Sequence, residues 1–113
     1  MRLYRWADLQ VDRLSPGISR QMVVGERAMI CLFRYKPGTS EPMHHHESEQ
    51  FSCVIKGRVR FLLQGQNIEA GPGEVVHIPS NVGHGAEILD EEAEVLEVFS
   101  PIRPDFLDKV GSK

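Results

Sequence analysis

Turn residues punctuate this chain at short intervals, and that spacing restricts what it can fold into. Ser15-Pro16-Gly17, Pro37-Gly38, Gly57, Gly65, Gly71-Pro72-Gly73 and Pro79 separate short apolar runs. Runs of this kind suit β-strands, because helices of globular domains average about 11–12 residues. The clearest are "AMICLFRY" (28–35), "FSCVIKG" (51–57), "RVRFLLQ" (58–64), "EVVHIP" (74–79), "NVGHGAEIL" (81–89) and "EAEVLEVF" (92–99). In the third, Val59, Phe61 and Leu63 alternate with Arg58, Arg60 and Leu62, the period of two that marks one buried and one wetter face. "GQN" (65–67) predicts a hairpin turn, and 70–73 a tight corner. Seven or more short strands and no persuasive amphipathic helix predict an all-β protein. The N-terminal segment is less regular, and the tail "FLDKVGSK" predicts a short helical turn.

At 113 residues the chain has room for one hydrophobic core. A single domain over 1–113 is expected: an N-terminal arm with first strands at 1–27, a barrel core at 28–100 and a C-terminal tail at 101–113. A formal net charge of -3 without a basic run gives no footprint for nucleic acid. The apolar stretches fall far short of the roughly 20 residues that cross a bilayer, and "MRLYRWADLQ" has no signal-peptide core, so no membrane partner and a cytoplasmic location are expected. Cys31 and Cys53 lie inside apolar runs, where reduced cysteine acts as a small hydrophobe. Trp6 is expected as a core or interface anchor. With Leu3 and Tyr4 it forms an arm that could cover the edge of a second copy, which predicts a homodimer.

"EPMHHHESEQ" (41–50) places three consecutive histidines between apolar segments. On extended backbone, side chains two apart share a face, so His44 and His46 project together and His45 points away. Gln50 shares their parity, and its amide oxygen could add a further metal ligand to two imidazoles. Glu47 and Glu49 are rival ligands of the opposite parity. His77, in "EVVHIP", is expected on a strand surface.

"EVLEVFSPIRPDF" (94–106) raises a second question. Val95, Glu97 and Phe99 share one face, while Glu94, Leu96 and Val98 share the other, so whichever face is buried takes a glutamate with it. A buried carboxylate is costly unless paired or employed, and desolvation raises its pKa toward the range useful for proton transfer. Arg103 follows, with a planar fork suited to a substrate carboxylate or to a structural ion pair with Glu97.

Taken together, these stretches resemble the cupin superfamily. Gly38, His44, His46, Gln50 and Gly57 keep the spacing of its first motif, and Gly73, Pro79 and His84 that of its second. The resemblance departs at Gln50, which stands where glutamate is usual, and at Asn81 and Ile88, which replace a glycine and an asparagine. "EVFSPIRPDFL" and the upstream "LSPGISRQMVVGERAM" are similar to the small single-domain cupins of the pectin-degradation type, in which aspartate is usual at the position of Glu97. The resemblance implies a double-stranded β-helix, or jelly-roll barrel, holding one divalent metal (Ni, Zn, Fe or Mn) on His44, His46, Gln50 and His84. It also implies catalysis by Glu97 and Arg103, with Phe99 and Arg103 binding the substrate. The implied reaction converts a 4,5-unsaturated uronate monosaccharide, a carboxylated sugar, to its open-chain 4-deoxy-5-keto form. The residues leave two other classes open, a non-catalytic binder of a small sugar or acid and a metal-dependent dioxygenase of a small organic acid.

Overall fold

The computed structural model describes residues 1–111, with side chains described as far as Leu107. After a 3-10 turn at Trp6–Asp8 come ten strands: β1 (Asp12–Ser15), β2 (Ile18–Val24), β3 (Met29–Tyr35), β4 (Ser40–His44), β5 (Glu49–Lys56), β6 (Val59–Leu63), β7 (Gln66–Ala70), β8 (Val75–Ile78), β9 (His84–Ile88) and β10 (Ala93–Ser100). A helix, α1 (Pro104–Gly111), follows. The strands form a six-stranded sheet in the order β1-β2-β3-β10-β5-β8 and a four-stranded sheet in the order β4-β9-β6-β7. Every pairing within them is antiparallel. The two sheets enclose the core as a jelly-roll barrel. No described helix is long and apolar enough to cross a membrane.

The alternation in β10 fixes which way the sheet faces. Ala93, Val95, Glu97 and Phe99 are buried, while Glu94, Leu96 and Val98 are half-buried on the outer side. A one-residue slip would exchange the two sets. Burial of a valine or phenylalanine contributes roughly 1.5–3 kcal/mol, so Val95 and Phe99 outweigh the one carboxylate they carry inside. Met29, Cys31, Phe33 and Tyr35 of β3 complete this wall, and Val59 and Phe61 of β6 face it from the other sheet. Both cysteines are free, Cys31 buried and Cys53 half-buried.

Four strands, β1, β2, β4 and β7, lie outside the runs read from the sequence, and two of them show why. In β2 the inward positions include Arg20, whose charge breaks the apolar alternation, although it is only 1% exposed. In β7 only Ile68 and Ala70 of "QNIEA" turn toward the core. The hairpin before β7 turns at Gln64-Gly65, so that Leu63 pairs with Gln66. That is a residue earlier than expected, because Gly65, at φ 82, takes the left-handed position.

Gly57 closes the β5–β6 connection with φ 79, and a Cβ there would stand 2.3 Å from the carbonyl oxygen of Glu92. Any other residue would have to push β10 away from β5. Asn81 is the one non-glycine residue with positive φ, at 62, among the described residues. Asparagine tolerates this conformation better than most side chains, so the turn before β9 survives without the usual glycine.

The chain ends are bound to the barrel differently. Gln21 Nε2 donates to the backbone oxygens of Trp6 (2.6 Å) and Leu9 (2.9 Å), which pins the N-terminal arm. Trp6 itself is half-buried and does not join the core cluster, contrary to one expectation for it. Pro104 opens α1 at the position where its missing N–H is not needed. Phe106 then enters the core, edge-on to Phe33 (6.2 Å) and Phe99 (5.4 Å). The tail is therefore part of the barrel's closure. Ser112 and Lys113, the last residues of the expected helical turn, lie outside the described residues.

Candidate metal centre

Three of the chain's five histidines meet at one end of the barrel. His44 closes β4, His84 opens the neighbouring β9 directly opposite it, and His46 lies on the loop that leads into β5. One ring nitrogen from each lies within 4.8 Å of the other two. Parity brought His44 and His46 to one side, and the structure gathers them with His84 even though β4 ends at His44; His45 is exposed, as expected. His77 is also exposed, bonded to Glu49 (2.7 Å) and stacked on Phe51. Glu49 therefore faces outward, Glu47 is exposed, and neither belongs to the cluster.

Each of the three rings is oriented by its own local backbone. Nδ1 of His44 lies 3.0 Å from the carbonyl oxygen of Pro42, that of His46 2.8 Å from Ser48, and that of His84 2.9 Å from Val82. A carbonyl oxygen only accepts, so each Nδ1 carries a proton, and a ring in its neutral form has its lone pair on Nε2. Burial pushes His84 down to about 4, and burial followed by the Arg103 charge pushes His46 below its ordinary value, so both rings are neutral at pH 7. Nε2 of His84 is buried without any partner.

Gln50, 4% exposed, completes the cluster from β5. Its Nε2 donates to Ser52 Oγ (2.9 Å) and Glu97 Oε2 (3.0 Å), which turns its Oε1 toward Nε2 of His46, also at 3.0 Å. Two lone pairs then face each other, an arrangement that repels until a cation stands between them. Two donor atoms bound at about 2.1 Å to one ion, at right angles across it, would lie about 3.0 Å apart. The unpartnered Nε2 of His84 and this acceptor–acceptor approach both fit a divalent ion held by His44, His46, Gln50 and His84. Three imidazoles and a neutral amide suit a transition metal better than magnesium or calcium.

Glu97 lies directly behind Gln50 and lines the same cavity of about 220 Å³ as His44, Gln50, His84 and Arg103. Its Oε2 accepts from both Gln50 and Ser52, the latter at 2.8 Å. Burial, reinforced by the charge of Glu41, pushes its pKa up to about 8 against the opposing pull of Ser52, Arg103 and Gln50. Glu94, the alternative acid, lies on the outer face and pairs with Arg34 at 3.4 Å.

Arg103 does not form the structural ion pair with Glu97. Its Nη2 and Nε bond Asp105 instead, at 2.7 and 3.3 Å. Its guanidinium lies 4.1 Å from the centre of the Phe106 ring and 5.2 Å from that of Phe99. Phe99 is 1% exposed and sits behind His46 and Arg103 rather than among the residues lining the cavity. Sequence reasoning missed Ser52, although it shares the parity of Gln50, and it missed Arg20. It also missed Tyr35 and Glu41, joined at 2.5 Å in the cavity wall.

The jelly-roll barrel and this histidine cluster agree with the family match: residues 31–99 fit the cupin domain, and the chain belongs to that family. Among individual proteins, it is 26% identical over 98 residues to pectin degradation protein KdgF of Dickeya dadantii, covering 85% of this chain and 89% of that protein. The structure of KdgF from Halomonas superimposes with a TM-score of 0.87 at 25% identity, covering 93% of this chain and 99% of that one. Oxalate decarboxylase OxdC of Bacillus subtilis is 28% identical over 85 residues, which are 71% of this chain and 22% of that longer protein.

Proposed function

We propose that the protein is a metal-dependent enzyme of pectin or alginate breakdown, which opens the ring of a 4,5-unsaturated uronate monosaccharide to give the 4-deoxy-5-keto acid. The similarity to KdgF supports the pathway. The observation that carries the chemistry is the contact between Gln50 and Glu97: one amide places a buried carboxylic acid next to the metal-ligand cluster, on the wall of a cavity sized for one small molecule.

The reaction is an isomerisation. The anomeric hydroxyl loses a proton while the ring C1–O5 bond breaks, O5 becomes the oxygen of the C5 ketone, and C4 gains a proton. A group that takes up one proton and returns one is sufficient, and the position of Glu97 on the cavity wall beside Gln50 supports that role for it. Ser52 and Gln50 hold its Oε2, so the carboxyl cannot swing away from the cavity. A divalent ion bound by His44, His46, Gln50 and His84 supplies Lewis acidity, strengthened by four neutral ligands. Arg103 offers positive charge for the sugar carboxylate, and Phe99 and Phe106 hold its guanidinium in place.

The test follows the ultraviolet absorbance of a lyase-generated unsaturated uronate after adding protein whose metal content has been measured. Decay well above the spontaneous rate is expected. Decay at the spontaneous rate with metal bound would sink the proposal.

A further inference from the structure

Arg20 is the largest of the fully buried side chains among the described residues, at 1% exposed. It projects inward from β2 opposite Phe33 of β3 and lines the cavity that also holds His44, Gln50 and Glu97. Its Nη2 approaches Asp12 Oδ2 at 3.4 Å, longer than the usual range for an N–H···O bond. Its Nε and Nη1 have no partner. A guanidinium is the side chain that most needs its donors satisfied once it leaves water. Packing alone gives no reason for a cation here, since a methionine would fill a similar volume between Phe33 and Phe106. The metal ligands give none either, because Arg20 contacts none of them in the hydrogen-bond network.

A second guanidinium shares the same ring. Arg20 stands 4.4 Å and Arg103 4.1 Å from the centre of Phe106. Arg103 already spends Nε and Nη2 on Asp105, whereas Arg20, a residue of the cavity lining, carries a buried Nε and Nη1 with no partner. Guanidinium donors of this kind match carboxylate oxygens in charge and geometry.

We propose that Arg20 is a substrate-binding residue, donating to the carboxylate of a small organic acid seated in the cavity, with Arg103 beyond Phe106 as the second cation that selects for negative charge. The choice of a uronate as that acid rests on the function proposed above; the unpartnered Nε and Nη1 of Arg20 do not.

The test is calorimetric titration of the metal-loaded full chain with D-galacturonate and, as the neutral counterpart, D-galactose. Metal content and circular dichroism are recorded for every variant. In Arg20→Met, galacturonate affinity is expected to fall on the order of tenfold to a hundredfold, the loss of a hydrogen bond to a charged group, with galactose affinity and metal content unchanged. Arg20→Lys, which keeps the charge without the fork, is expected to fall between. In the wild type, the Arg20 Nε–H resonance should move with galacturonate and stay still with galactose. Unchanged galacturonate affinity in Arg20→Met overturns the inference, as does unchanged affinity in Arg20→Lys with a stationary resonance if the methionine variant does not fold. A wild type that binds neither probe also overturns it. A wild type that binds galacturonate through Arg20 yet leaves unsaturated uronate untouched keeps the inference and removes the proposed reaction.

Discussion

The two walls of the cavity are built on opposite plans. On the four-stranded side, His44 and His84 face each other across the β4–β9 pair, and each ring is turned by a carbonyl two residues away. On the six-stranded side, Gln50, Ser52 and Glu97 hold one another across the β5–β10 pair, with a sequence separation of 45 residues between Ser52 and Glu97. The first wall leaves nitrogen lone pairs unspent, so it can take a cation. The second spends its polar atoms on itself and keeps an acid at a fixed place. Gln50 is the joint between them, since its oxygen belongs to the first wall and its nitrogen to the second.

The largest effect should come from breaking the histidine wall. His84→Ala removes one of three converging nitrogens, and metal affinity should fall by more than the roughly 10–100-fold seen when mere supporting partners are lost. Elemental analysis after dialysis should show near-complete loss of metal from a folded barrel, and retention of a full equivalent would disqualify the cluster. Next is the acid. Glu97→Gln keeps the shape and an oxygen that accepts from Ser52, so metal should stay bound while turnover drops on the order of 10²–10⁴-fold. Equal loss of metal and turnover would show that the walls act as one unit.

Ser52→Ala probes the joint. The hydroxyl accepts from Gln50 and donates to Glu97, so its removal should loosen the amide and cost about 10-fold in metal affinity by chelator competition. Thermal unfolding should report a loss of about 1–2 kcal/mol from the hydrogen bonds. A Ser52→Ala variant with unaltered metal affinity would separate the two walls. The smallest effect belongs to Glu94→Gln. Its pairing with Arg34 is half-exposed and on the far side of the sheet, so stability should change by no more than about 0.5 kcal/mol and turnover should not change. A large drop in turnover would mean that the outer face takes part in the reaction.

The histidine wall was far more legible in the sequence than its opposite. Side-chain parity alone singled out His44, His46 and Gln50 and rejected His45, because the loop after β4 happens to keep their sidedness. His84 needed the family resemblance, since its partner lies forty residues upstream and nothing local announces the pairing. On the second wall, β10 showed that one glutamate must be buried but not which one. The answer depends on Val95 and Phe99 facing the core together, a property of the assembled sheets. Arg20 was hidden for a related reason: on sequence it looks like a polar residue in an irregular segment, and only its pairing with Phe33 and coverage by Phe106 bury it. Ser52 could have been found from the parity of Gln50.

The carbonyl tethers of the three histidines separate two kinds of information. Which way each imidazole points is written within a three-residue stretch and is available as soon as that turn forms. How far apart the rings stand depends on hairpins and pairings that close only when both sheets are in place. Core substitutions that let the barrel breathe should therefore weaken metal binding by spreading the rings, with their tautomers intact. A short peptide copying one tether would present a correctly turned ligand and still have nothing to share it with.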